Sequence, residues 1–399
     1  MCAHVTPSHA AGFALIEQSA SGMGNAFAGA AASAEDASTI FFNPAGMAYL
    51  QGRQIVGALH AIRPSAKFDN AGSIAGFGRP LGDEGGDAGS LAFVPNFYYS
   101  MEFSPAIRLG LGINAPFGLK TDFDSDWMGR FQADKSELKT ININPSLSFR
   151  VNDQLSLGFG VSAMRAEAEL TRTVNLVAAE SAVKIEGDDW GLGYNLGAIL
   201  QATQDTRIGI AYRSRVIQHL DGKAKFDAPI TALSGNVKAD VTLPETLSIS
   251  LFSRLNERWD IMADATWTRW NRFEKLEVVR DSGATLALTP ENWENTMRYS
   301  VGANYRYNDA WKLRIGVAHD EEPIKDEFRT ARIPGEDRVW LALGAGWQMS
   351  EATKLDFGYA HLFVKDASID DNQTPVNGRL RGDFENQVNI LSAQFTYSF

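Results

Sequence analysis

Over long stretches of this chain, apolar and polar residues take strict turns. Leu155, Leu157, Phe159, Val161 and Ala163 share one parity, against Gln154, Ser156, Gly158, Gly160 and Ser162. The pattern returns at Trp259, Ile261, Ala263, Ala265 and Trp267, against Asp260, Asp264, Thr266 and Thr268. It returns at Met297, Tyr299, Val301, Ala303, Tyr305 and Tyr307, against Arg298, Ser300, Gly302, Asn304 and Arg306, and closes the chain at Phe395, Tyr397 and Phe399. Successive side chains of a strand point to opposite faces, so each run has one apolar and one polar face. Each run is about ten residues long, which is what a tilted strand needs to cross the hydrocarbon of a bilayer.

The connections between runs follow a second rhythm. Short polar turns sit at Asn152-Asp153, Gln204-Asp205, Asn256-Glu257 and Asn308-Asp309, spaced 52 residues apart, with others at Ser104-Pro105 and Ser350-Glu351. Asn, Asp and Gly suit such turns because they tolerate left-handed backbone and bond their own main chain. Between them lie segments rich in Gly, Asp, Lys and Pro, near 67–90, 116–136, 170–186, 221–240, 271–294, 319–336 and 365–382. Tight turns on one side and long loops on the other are the asymmetry of a bacterial outer-membrane barrel. The count is fourteen antiparallel strands, with both ends on the short-turn side. Closure follows from the solvent, since an open sheet edge in lipid leaves backbone groups unpaired at several kcal/mol each. Trp259, Trp311, Tyr305 and Tyr307 flank short turns, where an aromatic girdle meets the interface. A soluble β-sandwich accounts for one such strand but not for fourteen with segregated connections.

Composition narrows the class further. No window holds 18 consecutive apolar residues, so a helical membrane protein is excluded. Mean hydropathy is −0.19, as expected when a polar lumen face offsets a lipid face. A net charge of −11 argues against nucleic acid as a partner. The one cysteine, Cys2, excludes an internal disulfide and any cysteine-based zinc site, and the six histidines show no metal-ligand spacing. No cofactor is expected. Residues 1–10 lack an apolar core, but Ser8-His9-Ala10 has the small-x-small form that precedes a cleavage point. They are read as a signal-peptide remnant or a disordered start, with the mature chain beginning near Ala11.

Residues 11–52 break the strand pattern and are rich in small residues, which permit short helices packed closely against other backbone. Asn43-Pro44 forces a break within them. The segment is placed to plug the lumen as a hatch, with the barrel running over 53–399. Here the chain resembles the long-chain fatty acid transporter family of outer-membrane proteins (FadL type, with relatives that admit aromatic hydrocarbons). The resemblance rests on Ser21-Gly22-Met23-Gly24-Asn25-Ala26, Glu35-Asp36-Ala37-Ser38-Thr39 and Phe42-Asn43-Pro44-Ala45-Gly46-Met47. It continues through Asn114-Ala115-Pro116-Phe117-Gly118-Leu119, Trp127-x-Gly129-Arg130-Phe131 and Leu243-Pro244-Glu245. It ends with Trp267-x-x-Trp270-x-x-Phe273-x-x-Leu276 and Ile333-Pro334-x-x-Asp337-Arg338-x-Trp340-Leu341.

The resemblance implies a fourteen-stranded barrel with a hatch, in the outer membrane. It implies a hydrophobic ligand held first among outer loops, then in a tighter lumen site near the start of the hatch, and released sideways at a kinked strand. The gate residues would be Asn43, Pro44 and Ala45, and Ala11-Gly12-Phe13 would contact the inner site. The kink would lie in the third strand, over 108–114, with Gly110, Gly112 and Asn114 at the lateral opening. Glycine in a strand marks bends or close approaches, so Gly110 and Gly112 equally fit tight packing.

Phe117, Leu119, Phe123, Trp127, Met128 and Phe131 put six large apolar side chains into one proposed external loop. They form a capture surface, or they pack on a neighbouring loop. Burial releases about 25 cal/mol per Å² of apolar surface, so a tight site traps an apolar ligand and release needs rearrangement. A carboxylate head group needs a cation; Arg172 and Arg130 are the candidates, with Arg213, Arg215, Arg298 and Arg314 as rivals. The acidic clusters of the loops suit a solvated face, or divalent bridges to anionic lipid. Partners therefore expected are fatty acids or hydrocarbons, outer-membrane lipid and lipopolysaccharide, and the barrel-assembly machinery through Phe399. No catalytic motif emerges: Gly222-Lys223 lacks the glycine of a phosphate loop, and no serine motif accompanies His219, His319 or His361. An enzyme is not expected. A lipid hydrolase and an adhesin or receptor barrel are the alternatives from other classes.

Overall fold

The structure is a computed structural model and describes residues 12–399. The expected start near Ala11 lies outside the described residues. Fourteen antiparallel strands form one closed barrel. In chain order β1 is Arg53–Asn70, β2 Ala92–Ser104, β3 Ile107–Asn114 continued by Gly118–Asp122, β4 Lys135–Arg150 and β5 Leu155–Asn175. β6 is Glu180–Gln201, β7 Thr206–Arg213 with Val216–Phe226, β8 Gly235–Leu243 with Thr246–Arg254 and β9 Trp259–Thr268 with Lys275–Arg280. β10 is Thr285–Pro290 with Thr296–Arg306, β11 Trp311–Asp320, β12 Arg338–Gln348, β13 Thr353–Val364 with Ala367–Gln373 and β14 Gly378–Ser398. β1 and β14 close the cylinder from Gln54↔Ser398 to Asn70↔Gly382. Arg53 N–H donates to Phe399 O at 2.8 Å, which places both ends on the short-turn side.

The two faces divide as the alternation requires. On β4, Asn142, Asn144, Ser146 and Ser148 are buried in the lumen, whereas Ile141, Ile143, Leu147 and Phe149 are exposed on the outer wall, where lipid covers them. At the short-turn rim, Trp311 and Trp347 stack and Trp259 packs on Tyr305, forming the aromatic belt.

Four expected loops are largely strand instead. β5 and β6 pair out to Asn175↔Glu180, β7 and β8 to Ala224↔Gly235, β9 and β10 to Lys275↔Pro290 and beyond, and β13 and β14 to Gln373↔Gly378. Charged residues such as Lys223, Lys225 and Lys238 take the outer face, while Asn175 and Ser181 are buried polar residues. On β6 to β9 the inner face buries Val183, Ala224, Phe226, Val237 and Val278 together. Irregular connections remain at 71–91, 123–134 and 321–337.

The lumen is filled by short helices, α1 Ala20–Met23, α2 Ala30–Ser33 and α3 Thr39–Phe42, and a 3₁₀ turn over Pro44–Tyr49. Backbone meets backbone across this contact: a Cβ on Gly158 would overlap Ala45, and one on Gly209 would overlap Ala31. One corner is ionic. Glu35 accepts from Lys312 Nζ at 2.9 Å, Arg314 Nη2 at 2.6 Å and Lys354 Nζ at 2.6 Å, and Arg314 also reaches Asp356 at 2.8 Å. Burial raises the Glu35 carboxyl, but these three cations outweigh it and hold the group well below the usual carboxylate range.

Candidate functional site

Above the hatch lies a cavity of roughly 700 Å³. Its floor is Phe27, Phe41, Phe42 and Pro44; its wall includes Phe117, Leu119, Leu138 and Trp340; its roof is the arm that precedes α1. Phe13 of this arm sits in an aromatic box, with ring centroids 4.8 Å from Trp270, 5.5 Å from Trp293, 5.9 Å from Phe273 and 6.1 Å from Phe117. Gly12 allows this placement: its φ is +51°, and a Cβ there would strike the Trp270 and Trp293 rings.

The wall is incomplete beside the cavity. β2 and β3 pair from Ser104↔Ile107 to Phe97↔Ile113 and no further. β3 then breaks at Ala115-Pro116-Phe117, and its outer piece pairs with β4 alone. On the other edge, 92–96 of β2 pair with β1 alone. Proline at 95 and 116 removes an N–H from each edge. The arm takes up the backbone groups so freed: Leu15 N–H donates to Pro116 O at 2.8 Å, Gly118 N–H to Phe13 O at 2.9 Å, and Gln18 Nε2 to Ala115 O at 3.0 Å. Outward-facing Phe93 and Ile113 also line the cavity, so it extends to the lipid face here.

The interruption is displaced from the expected one. Over 108–113 β3 pairs in unbroken register on both sides, so Gly110 and Gly112 do not bend it. A Cβ on Gly110 would press on Met47 and Ile40, and one on Gly112 on Tyr98 and Ile40. Close approach of the hatch explains both glycines; the break in pairing falls at Ala115-Pro116-Phe117. Asn114 ends the regular piece, lines the cavity and accepts from Asn142 Nδ2 at 3.1 Å.

Asn43 is fully buried; its Nδ2 donates to Ala31 O at 2.7 Å and Ala198 O at 3.1 Å, and its Oδ1 accepts from Ala45 N–H at 3.0 Å. It ties two hatch segments to β6, and of the three expected gate residues only Pro44 faces the cavity. The six expected capture residues divide. Phe117 and Leu119 line the cavity. Phe123 stacks on Trp127 at 3.9 Å, and both pack with Met128, Phe68 and Phe384 in a loop core. Phe131 is buried under Arg130.

Neither expected head-group cation lines the cavity. Arg130 donates to Glu180 at 3.1 Å and to the carbonyls of Leu81, Pro80 and Trp127. Arg172 donates to Phe131 O at 3.2 Å. The arginines in the cavity wall are Arg165 toward the outside and Arg213, Arg298 and Arg338 within. Arg213 and Arg298 carry a signal the sequence does show, the parity of the polar face. Arg338 stands beside the break at Pro334 and lacks one. Glu17 on the arm is buried near Arg338 and Arg298; burial raises its carboxyl, and the two arginines offset part of the rise.

This geometry has relatives. The description "Outer membrane protein transport protein (OMPP1/FadL/TodX)" belongs to a family model that matches residues 2–399. The chain belongs to this FadL family. A long-chain fatty acid transport protein of Escherichia coli O6:H1 is 26% identical over 99% of this chain and 96% of its own length. Outer membrane protein P1 of Haemophilus influenzae is 28% identical over 98% of the chain and 96% of its own length. The crystal structure of a Pseudomonas aeruginosa FadL homologue superposes with a TM-score of 0.92 at 26% identity, covering 98% of this chain and 100% of that one. The toluene transporter TodX of P. putida shares the fold, with a TM-score of 0.71 at 18% identity over 91% of this chain and 94% of its own. As a FadL-family barrel the protein is an outer-membrane transporter of hydrophobic compounds, in a family made up of transport proteins.

Proposed function

We propose that this transporter takes up long-chain fatty acids or similar apolar compounds passively, binding them between the arm and the hatch and releasing them sideways into the membrane. Residues 11–52 act as the hatch and 53–399 as the barrel. The observation that carries the reading is the β2–β3 gap, which meets an apolar cavity and is bridged from inside by the Phe13 arm. An apolar ligand gains about 25 cal/mol per Å² on leaving water for that cavity. It then competes with Phe13 for the aromatic box, and displacing the arm frees the gap. Phe117 and Leu119 hand the ligand inward; Asn43, Pro44 and Ala45 keep the floor closed to water. Outer-leaflet lipopolysaccharide and the assembly machinery, through the exposed Phe399, are the macromolecular partners in this reading.

The test is uptake. Cells lacking the protein should accumulate an isotope-labelled long-chain acid several-fold more slowly and grow poorly on it, with recovery on complementation. Unchanged uptake in cells with no second family member contradicts the proposal.

A further inference from the structure

The short-turn mouth of the barrel faces the periplasm, on the side of the hatch away from the cavity. Three arginines converge there. Arg150 ends β4, Arg207 lies at the start of β7 and Arg254 ends β8. Each shares the lumen parity of its strand, with Ser148, Gly209 and Phe252 respectively. Tyr49 closes the 3₁₀ turn of the hatch, and its ring centroid lies 5.9 Å from the Arg150 guanidinium and 4.8 Å from that of Arg207. Arg207 also lies 4.4 Å from the Phe252 centroid. Arg150 donates Nη2 to Ala48 O. Arg150 and Arg254 are exposed and Arg207 is half-buried.

Among the described residues none of the three forms an ion pair, and the Arg207 guanidinium donates no hydrogen bond. The buried acids of this mouth are already taken. Asp260 accepts from Arg306 at 2.6 Å, and Glu35 holds Lys312, Arg314 and Lys354. Rings cover the faces of Arg207 and leave its N–H edge, the part of a guanidinium that grips a carboxylate. Neighbouring strands lie about 4.8 Å apart, so the crescent from β4 to β8 spans roughly 19 Å of rim. One small anion bridges only part of that length. The turns beside it expose Asp153, Asp205 and Glu257, which repel a broad acidic face. A narrow, extended chain with several carboxylates meets all three arginines and passes between those turns. Tyrosine and arginine are also the side chains that dominate binding at protein interfaces.

We propose that this crescent is a docking site for an acidic, extended segment of a periplasmic protein. Carboxylates of the segment pair with Arg207 at the centre and with Arg150 and Arg254 on either side. Docking needs no cargo, because the site lies below the hatch and shares no residue with the cavity. Arg150 holds the Ala48 carbonyl, and Arg150 and Arg207 both touch Tyr49, so a docked segment bears on the last turn of the hatch.

The probe is a fluorescein-labelled oligoglutamate peptide, added to the full chain in nanodiscs of neutral phosphatidylcholine and followed by anisotropy at low salt. Wild type should bind it saturably, and added salt should weaken binding because exposed charges are screened. Arg207→Gln should weaken it about tenfold, the scale of one charge-assisted bond. Arg254→Glu should weaken it at least as much, and at an exposed position it keeps the test valid if Arg207→Gln fails to close. Heat-modifiable migration on gels checks closure of each variant. Lys223→Gln with Lys225→Gln, on the outer wall above the membrane, should change nothing. Absence of saturable binding by wild type overturns the proposal, as does binding that neither arginine variant weakens. Displacement of the peptide by an equal concentration of inorganic phosphate would make this a small-anion site and overturn it. Loss of binding in phosphatidylglycerol nanodiscs at matched salt would assign the arginines to lipid head groups and overturn it too.

Discussion

The two ends of the hatch are held by opposite kinds of force. At the arm, Phe13 is fixed by four aromatic rings and a few backbone bonds. At the other corner, Glu35 is fixed by three cations of β11 and β13, with Asp356 behind them. An apolar ligand can replace one set of apolar contacts with another at little net cost. It cannot replace a buried ion cluster, whose partners would be stranded. In the uptake proposed above, the arm is therefore the part a ligand would move, and the Glu35 corner the part that would keep the barrel plugged while it moves.

The comparison breaks most visibly at Glu35. Glu35→Gln strips Lys312, Arg314 and Lys354 of the carboxylate they share. The carboxylate is partly accessible, so the cost lies at the low end for a buried pair, about 3 kcal/mol. Single-channel recordings should show raised ion conductance, and amide exchange of the hatch body should quicken. Unchanged conductance and exchange would place the anchor elsewhere.

Next in size is Phe13→Ala, expected to weaken the arm by about 2 kcal/mol, below the usual Phe→Ala cost because the site borders a cavity. Exchange should rise at Leu15 and Gly118 and not in the hatch body, and affinity for a long-chain acid should fall. Equal loosening of both regions would mean that the hatch moves as one piece.

Gly110→Val drives new atoms toward Ile40 and Met47. Overpacking of this kind costs about 1–2 kcal/mol. Thermal unfolding should shift by a few degrees while arm exchange stays unchanged. A tolerated valine would return Gly110 to a role in the strand itself.

The smallest effect is one of pH, in the loops outside the membrane. Burial pushes Glu322 up to about 7 and Glu291 up to about 7, from 4.5. In the folded loops both stay protonated until near pH 7, whereas in opened loops they ionise above about 4.5. Their contribution to stability is therefore full below pH 4.5, declines between, and is lowest above pH 7. Exchange across 321–337, corrected for intrinsic rates, should be slower at pH 5 than at pH 8. The opposite trend would assign these loops to ionised pairs.

How much of this was legible in the residues depends on where each signal lies. Lipid enforces alternation at Leu157, Phe159 and Val161, so the strand count could be read directly. Lys223, Lys225 and Lys238 looked like loop because their outer face is wet above the membrane, while the inner face remained a strand's. Glu35 announces nothing alone; its cations lie 277 to 319 positions away and meet it only through barrel closure. The apolar residues of 117–131 were visible as a group, but Phe123 and Trp127 stack on each other and Phe117 faces the cavity, a division that composition does not encode. Gly110 and Gly112 lie against the hatch, and in a sequence a glycine required by a neighbour looks the same as one required by a bend.

The central claim is that apolar cargo passes between the Phe13 arm and the β2–β3 gap. It is tested most directly by photolabelling in outer-membrane vesicles with a long-chain acid carrying a diazirine on its tail. The account predicts saturable labels on Phe13, Phe117 or Leu119, and on Phe93 or Ile113 at the gap. Labels confined to the outer loops, or labelling that unlabelled acid does not suppress, would contradict it.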